Sequence, residues 1–170
     1  MPQIGLWLTY SDIHMANHLN SYLKSGVESS SKYLLRDIEA MTPEQLANSP
    51  AGAARPPFDF IYEIVVVNQR IADRLNGKDP GPWTAEGWIV CPDEWKDKAK
   101  LSEAIKDTAA QIAAGLQGKD DSQLTEKFKV GENETCFADM AGLAAVHMMY
   151  HGGQLNYVQS MNGDMEVHWN

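Results

Sequence analysis

HMMYHGGQLNYVQSMNGD, residues 147–164, is the end of a helical pattern that opens near Phe137 and stops at Asn162-Gly163. On a wheel of 100° per residue, His147 and His151 lie about 40° apart. They share a stripe with Met140, Leu143, Ala144, Leu155 and Val158, so both imidazoles are expected to face where the apolar side chains face. A helix apolar along one stripe needs partners to bury it, and three more such helices can be read upstream.

The first runs from about Leu19 to Met41, with Leu19, Leu23, Val27, Ser30, Leu34, Ile38 and Met41 at steps of three or four. In the MTPEQLANSP that follows, Thr42 and Gln45 form a capping-box pattern with Pro43 at the first helical position, which predicts a short extra turn. The second runs from about Pro57 to Asn76 and aligns Ile61, Ile64, Val65, Asn68, Ile71, Ala72 and Leu75. Its IVVV run favours a strand by propensity, but the sustained helical period outweighs that preference. The third runs from about Asp93 to Leu116, with Trp95, Ala99, Ile105, Ala109, Ile112 and Leu116 inward.

Two segments read as irregular: GKDPGPWTAEGWIVCPDEW between the second and third helices, its aromatics anchored on the bundle, and GKDDSQLTEKFKVGENE before the fourth. The expected fold is all-α, a four-helix bundle. The long link between helices two and three points to one or two long crossover connections rather than a plain up-down stack.

The chain has 170 residues, which fits one domain, residues 1–170. Its net charge of −9, with 14 Lys plus Arg, argues against a nucleic-acid partner. Cys91 and Cys136 show no CxxC spacing, so a zinc knuckle and a redox dithiol are both unsupported, and free thiols are the expectation. Cys136 opens the fourth helix and is read as inert. MPQIGLWLTYSD has no basic n-region followed by a long apolar stretch, and no window approaches the ~18 apolar residues of a membrane span. The expectation is a cytoplasmic protein with no membrane partner.

An inward HxxxH places two imidazoles side by side, a geometry that zinc, nickel or iron accepts from one helix. The competing reading is two core histidines hydrogen-bonded to neighbours such as Asn68, an amide at the centre of the second helix's apolar face. Glu63 sits at the edge of that face, about 140° from Asn68, and offers a carboxylate for a two-His-one-carboxylate set. Tyr150 flanks the histidine stripe as a further neighbour. A second pair, His14 and His18, precedes the clear first helix and reads as surface; His168 is expected to be exposed. Gly152 and Gly153 directly follow His151 inside a helix, which suggests either close approach of another helix or room for a ligand.

The element order, the TPEQL turn after the first helix and the late HxxxH resemble the DinB/YfiT-like superfamily of bacterial four-helix bundles over nearly the whole chain. The resemblance implies a divalent metal, zinc or nickel first, held by an early histidine on the second helix and the HxxxH pair on the fourth. His147 and His151 match that pair. In FDFIYEIVVVNQR, Glu63 stands where the first histidine would be, and Asn68 matches a polar position five residues on. The metal set expected here is therefore His147, His151 and Glu63, with Asn68 and Tyr150 around it. The implied function is a metal-dependent enzyme acting on a small molecule, of the thiol-dependent transferase, isomerase or hydrolase type, and the implied assembly is a homodimer. The alternative is a metal-free small-molecule-binding or dimeric stress-response bundle that has lost the catalytic site.

Overall fold

A computed structural model describes residues 18–169. Its elements in chain order are α1 (His18–Ala40), α2 (Pro43–Ala47), α3 (Pro57–Leu75), a 3₁₀ turn (Asp93–Trp95), α4 (Lys98–Leu116), α5 (Asp121–Thr125), β1 (Phe128–Val130), β2 (Asn133–Thr135) and α6 (Phe137–Met161). The four long helices α1, α3, α4 and α6 are those read from the sequence, and they form an all-α bundle. Among the described residues no helix is long and apolar enough to cross a membrane.

The aligned residues of α1 and α3 are its core. Val27, Leu34 and Ile38 on α1, and Ile61, Ile64, Ala72 and Leu75 on α3, are all buried. Each fully buried Val, Leu or Ile among them contributes about 1.5–3 kcal/mol of transfer free energy. Leu101, Ile105, Ile112 and Leu116 supply the α4 face, and Ala141, Ala144, Met148 and Leu155 the α6 face. The Thr42–Gln45 capping box forms as read: Gln45 N–H donates to Thr42 Oγ1 at 3.2 Å and Thr42 N–H donates to Gln45 Oε1 at 2.8 Å.

α1 packs on α6 and α4, and α3 packs on α4 and α6, so α1 and α3 face each other across the bundle diagonal. The crossings are therefore made by the links α1–α3 and α4–α6. The α3–α4 link, whose length suggested a crossing, joins neighbouring helices. It is pinned to the bundle by arginines: Arg70 donates to the carbonyls of Pro80 (3.0 Å) and Gly81 (2.6 Å), and Arg55 to that of Ile89 (2.9 Å). Trp83 and Trp88 lie over the same two guanidinium groups, of Arg70 and Arg55 respectively.

Several local expectations change. The third helix begins at Lys98, because Asp97 caps it by accepting from Lys100 N–H at 2.7 Å. Asp93–Trp95 is a separate turn, Ala99 is exposed, and Trp95 packs on Tyr62 with ring centroids 5.4 Å apart. The segment before α6 is ordered rather than irregular. Asp120 and Gln123 form a second capping box, and β1 pairs antiparallel with β2 around Gly131, whose φ is 61°. Leu143, expected in the buried stripe of α6, is 55% exposed. His168 is not exposed: its Nε2 lies 2.8 Å from Asp164 Oδ2. His18 opens α1 and is exposed; His14 lies outside the described residues. Both cysteines are free and buried, and Cys136 caps α6, its Sγ accepting from Asp139 N–H at 3.4 Å.

Candidate metal centre

α3 and α6 are packed neighbours, and their contact brings Glu63 to the two histidines. His151 is 2% exposed at its side chain, and His147 and Glu63 are 16% and 17% exposed. The Nε2 atoms of the histidines face each other at 3.0 Å. Glu63 Oε1 lies 3.5 Å from His147 Nε2 and 3.8 Å from His151 Nε2. Among the described residues, these three form a group whose ligand atoms all lie within 4.8 Å of one another.

The surroundings set the state of each ring. His151 Nδ1–H donates to Gln154 Oε1 at 2.7 Å, and Gln154 Nε2–H donates to the Tyr150 hydroxyl at 3.3 Å. With its proton held on Nδ1, His151 turns an unprotonated Nε2 toward His147 and Glu63. Phe60 stacks on the His151 ring at 5.2 Å and 5°, fixing its plane, and Tyr150 meets it edge-on at 5.0 Å. Burial pushes the His151 imidazole down to about 4, more than the Gln154 bond raises it. Burial also lowers His147, against the raising influence of Glu63. Both rings are thus held neutral, the form that ligates metal. Two neutral imidazoles cannot turn lone pairs on each other at this distance; a proton or a cation must lie between them.

The donor set fits a divalent ion. Two nitrogens and one carboxylate oxygen suit zinc or nickel, and the three separations are within the ~4.2 Å that two ligand bonds of about 2.1 Å can span. His147 Nδ1 is buried without a protein hydrogen-bond partner, so that ring's protonation is not committed elsewhere. Arg55 holds the remaining carboxylate oxygen: its Nη2 lies 2.7 Å from Glu63 Oε2, an ion pair outside hydrogen-bond geometry.

Sequence reasoning named Glu63, His147, His151 and Tyr150, which the fold brings together. It missed Arg55, Gln154 and Phe60. Gln154 was within reach, since a residue three positions after His151 shares its face of the helix. Arg55 precedes α3 and carries no periodic signal. Asn68, a hydrogen-bond partner of the histidines in the competing reading, does not fill that role: it is fully buried and neither of its amide atoms has a protein partner. The glycines also read differently. A Cβ on Gly153 would meet nothing within 4 Å, and one on Gly152 would meet only Asp37 Oδ2, at 3.6 Å. Among the described residues no helix crowds them, whereas Gly115, on α4, is a position of close approach: a Cβ there would lie 2.6 Å from Leu75 Cβ.

The family model of the DinB superfamily matches residues 28–155, a span containing all three candidate ligands. The crystal structure of a conserved protein from Enterococcus faecalis is similar in fold, with a TM-score of 0.66 at 15% identity, over 83% of this chain and 95% of that one. No curated protein matches.

Proposed function

The chain belongs to the DinB superfamily, and from that premise we propose that it is a metal-dependent enzyme holding one divalent ion, zinc or nickel, on His147, His151 and Glu63. The observation that carries this reading is the convergence of two neutral imidazole Nε2 atoms, 3.0 Å apart, on the Glu63 carboxylate. When bound, such an ion supplies Lewis acidity, which lets water or a thiol act as a nucleophile near neutral pH. The chain's own residues do the positioning. Gln154 and Phe60 fix the tautomer and plane of His151, and Arg55 steadies Glu63. The burial of the imidazoles excludes water from one side of the site. The reaction is of the thiol-dependent transferase, isomerase or hydrolase type, on a small molecule.

The proposed protein is a single cytoplasmic domain that pairs as a homodimer. Tyr22 on α1 and Leu143 and Val146 on α6, exposed by 76%, 55% and 66%, support the pairing. Sedimentation of a monomer at high protein concentration would count against it.

One observation favours a second reading, a metal-free small-molecule-binding bundle. Arg55 already supplies Glu63 with a positive partner at 2.7 Å. Elemental analysis by mass spectrometry, on protein purified without an affinity tag, separates the two. The metal reading expects about one divalent ion per chain and its loss in the double variant His147→Ala/His151→Ala. A wild type that carries no metal and takes none up on titration favours the second.

A further inference from the structure

A cleft of about 670 Å³ opens beside His151, and its lining has an unusual balance of charge. Phe60, Trp88, Tyr157 and Met161 give it apolar walls, and Gly153 leaves its side open. No carboxylate among the described residues lines it, although the chain as a whole carries −9. Among the described residues of the wall, Arg55 is the one with a permanent charge. Its guanidinium is only partly engaged. Nη2 serves Glu63 and the Ile89 carbonyl, and the buried Nε has no protein partner. The Trp88 ring lies 4.9 Å from it and is 73% exposed, an apolar surface beside the charge and open to an incoming molecule.

We propose that this cleft takes a small carboxylate with an aromatic or aliphatic body, and that Arg55 selects the carboxylate. The apolar walls match the body. A planar guanidinium matches a carboxylate in shape as well as charge. The proposal rests in part on the metal reading. With a divalent ion held beside Arg55, the single negative charge of Glu63 faces three positive ones, two on the ion and one on the guanidinium. Uncompensated charge in a partly desolvated cleft is costly, so an anionic ligand is favoured there. The pairing with Arg55 does not itself require the ion, because Glu63 and a ligand carboxylate compete for the same guanidinium.

Calorimetric titration of zinc-loaded and metal-stripped protein with phenylacetate and with phenylacetamide, its uncharged counterpart of the same shape, tests this. In the zinc-loaded protein the acid binds at least roughly tenfold more tightly than the amide. Arg55→Gln removes that preference, and Arg55→Lys, which keeps the charge, retains part of it. In the metal-stripped protein, Glu63→Gln frees Arg55 and raises affinity for the acid but not for the amide. Equal binding of acid and amide, binding of neither, or a preference that survives in Arg55→Gln overturns the proposal. Zinc binding without acid preference sinks this inference alone. Acid preference that depends on Arg55, in a protein that binds no metal, sinks the metal reading alone.

Discussion

His151 Nε2 lies 3.0 Å from His147 Nε2 while Gln154 holds the other nitrogen of the His151 ring at 2.7 Å. The Gln154 bond thus decides which nitrogen of His151 is available to a metal. Outer partners of this kind are worth about 10–100-fold in metal affinity. Gln154→Leu should weaken zinc binding by about that factor in competition with a chromophoric chelator. Tyr150→Phe, which removes only the acceptor beyond Gln154, should cost less. Unchanged affinity in Gln154→Leu would show that the tautomer is set by something else.

Acid should destabilise the metal-free protein through His151. Unfolded, the imidazole titrates near 6.5; folded, it titrates near 4. Between those values the unfolded chain binds more protons, so stability falls as pH falls from about 6.5 to about 4. A shift of that size in a buried group corresponds to about 3 kcal/mol across the window. Burial pushes the Asp37 carboxyl up, which acts in the opposite direction, since the folded state then binds the extra proton. Comparing urea unfolding of wild type with His151→Gln, with chelator present, cancels the Asp37 contribution. The variant should show the shallower loss of stability toward acid.

Two glycine substitutions should move stability in opposite directions. Gly153→Ala adds a methyl group into open space and gains helix propensity, so it should stabilise by about 0.5–1 kcal/mol. Gly115→Ala would place its Cβ 2.6 Å from Leu75 Cβ and 3.1 Å from the Leu75 backbone carbon, so it should destabilise by about 1–3 kcal/mol. Thermal unfolding of the two variants reads both signs.

The C-terminal segment closes over α1 through Trp169. Its indole N–H donates to Asp37 Oδ2 at 2.8 Å, its ring stacks on Tyr33 at 5.2 Å, and its carbonyl accepts from Arg36 Nη1 at 2.6 Å. Asp37 is fully buried and its Oδ1 has no protein partner. Trp169→Phe keeps an aromatic ring but removes the donor, and should cost about 1–3 kcal/mol in urea unfolding.

The long helices were legible because their periods are long. Five turns of aligned Ile, Val and Leu on α3 outweigh the strand propensity of IVVV, and the bounds of α6 follow from Phe137 and the Asn162-Gly163 stop. The short elements α5, β1 and β2 span three to five residues each, too few to show a period, and only the Asp120–Gln123 cap and Gly131 mark them locally. A wheel also gives the direction of a stripe but not its buried width. Leu143 and His147 both flank the α6 stripe, yet Leu143 is 55% exposed while His147 turns toward Glu63. Of the candidate site, the histidine pair is a spacing and so is visible in sequence. Arg55 meets Glu63 only through the geometry of the chain's entry into α3, and nothing in the spacing of those two residues announces an ion pair. Asn68 shows the limit of reading by type: a buried amide is a natural partner for the histidines in the competing reading, and the fold leaves it without a protein partner.

In the proposed metal site, Glu63 completes a ligand set begun by His147 and His151. Calorimetric titration of metal-stripped wild type and Glu63→Ala with zinc tests it most directly. One tight zinc per wild-type chain is expected, with an affinity at least roughly tenfold lower in Glu63→Ala. A wild type that binds no zinc, or a variant that binds it as tightly as wild type, would contradict it.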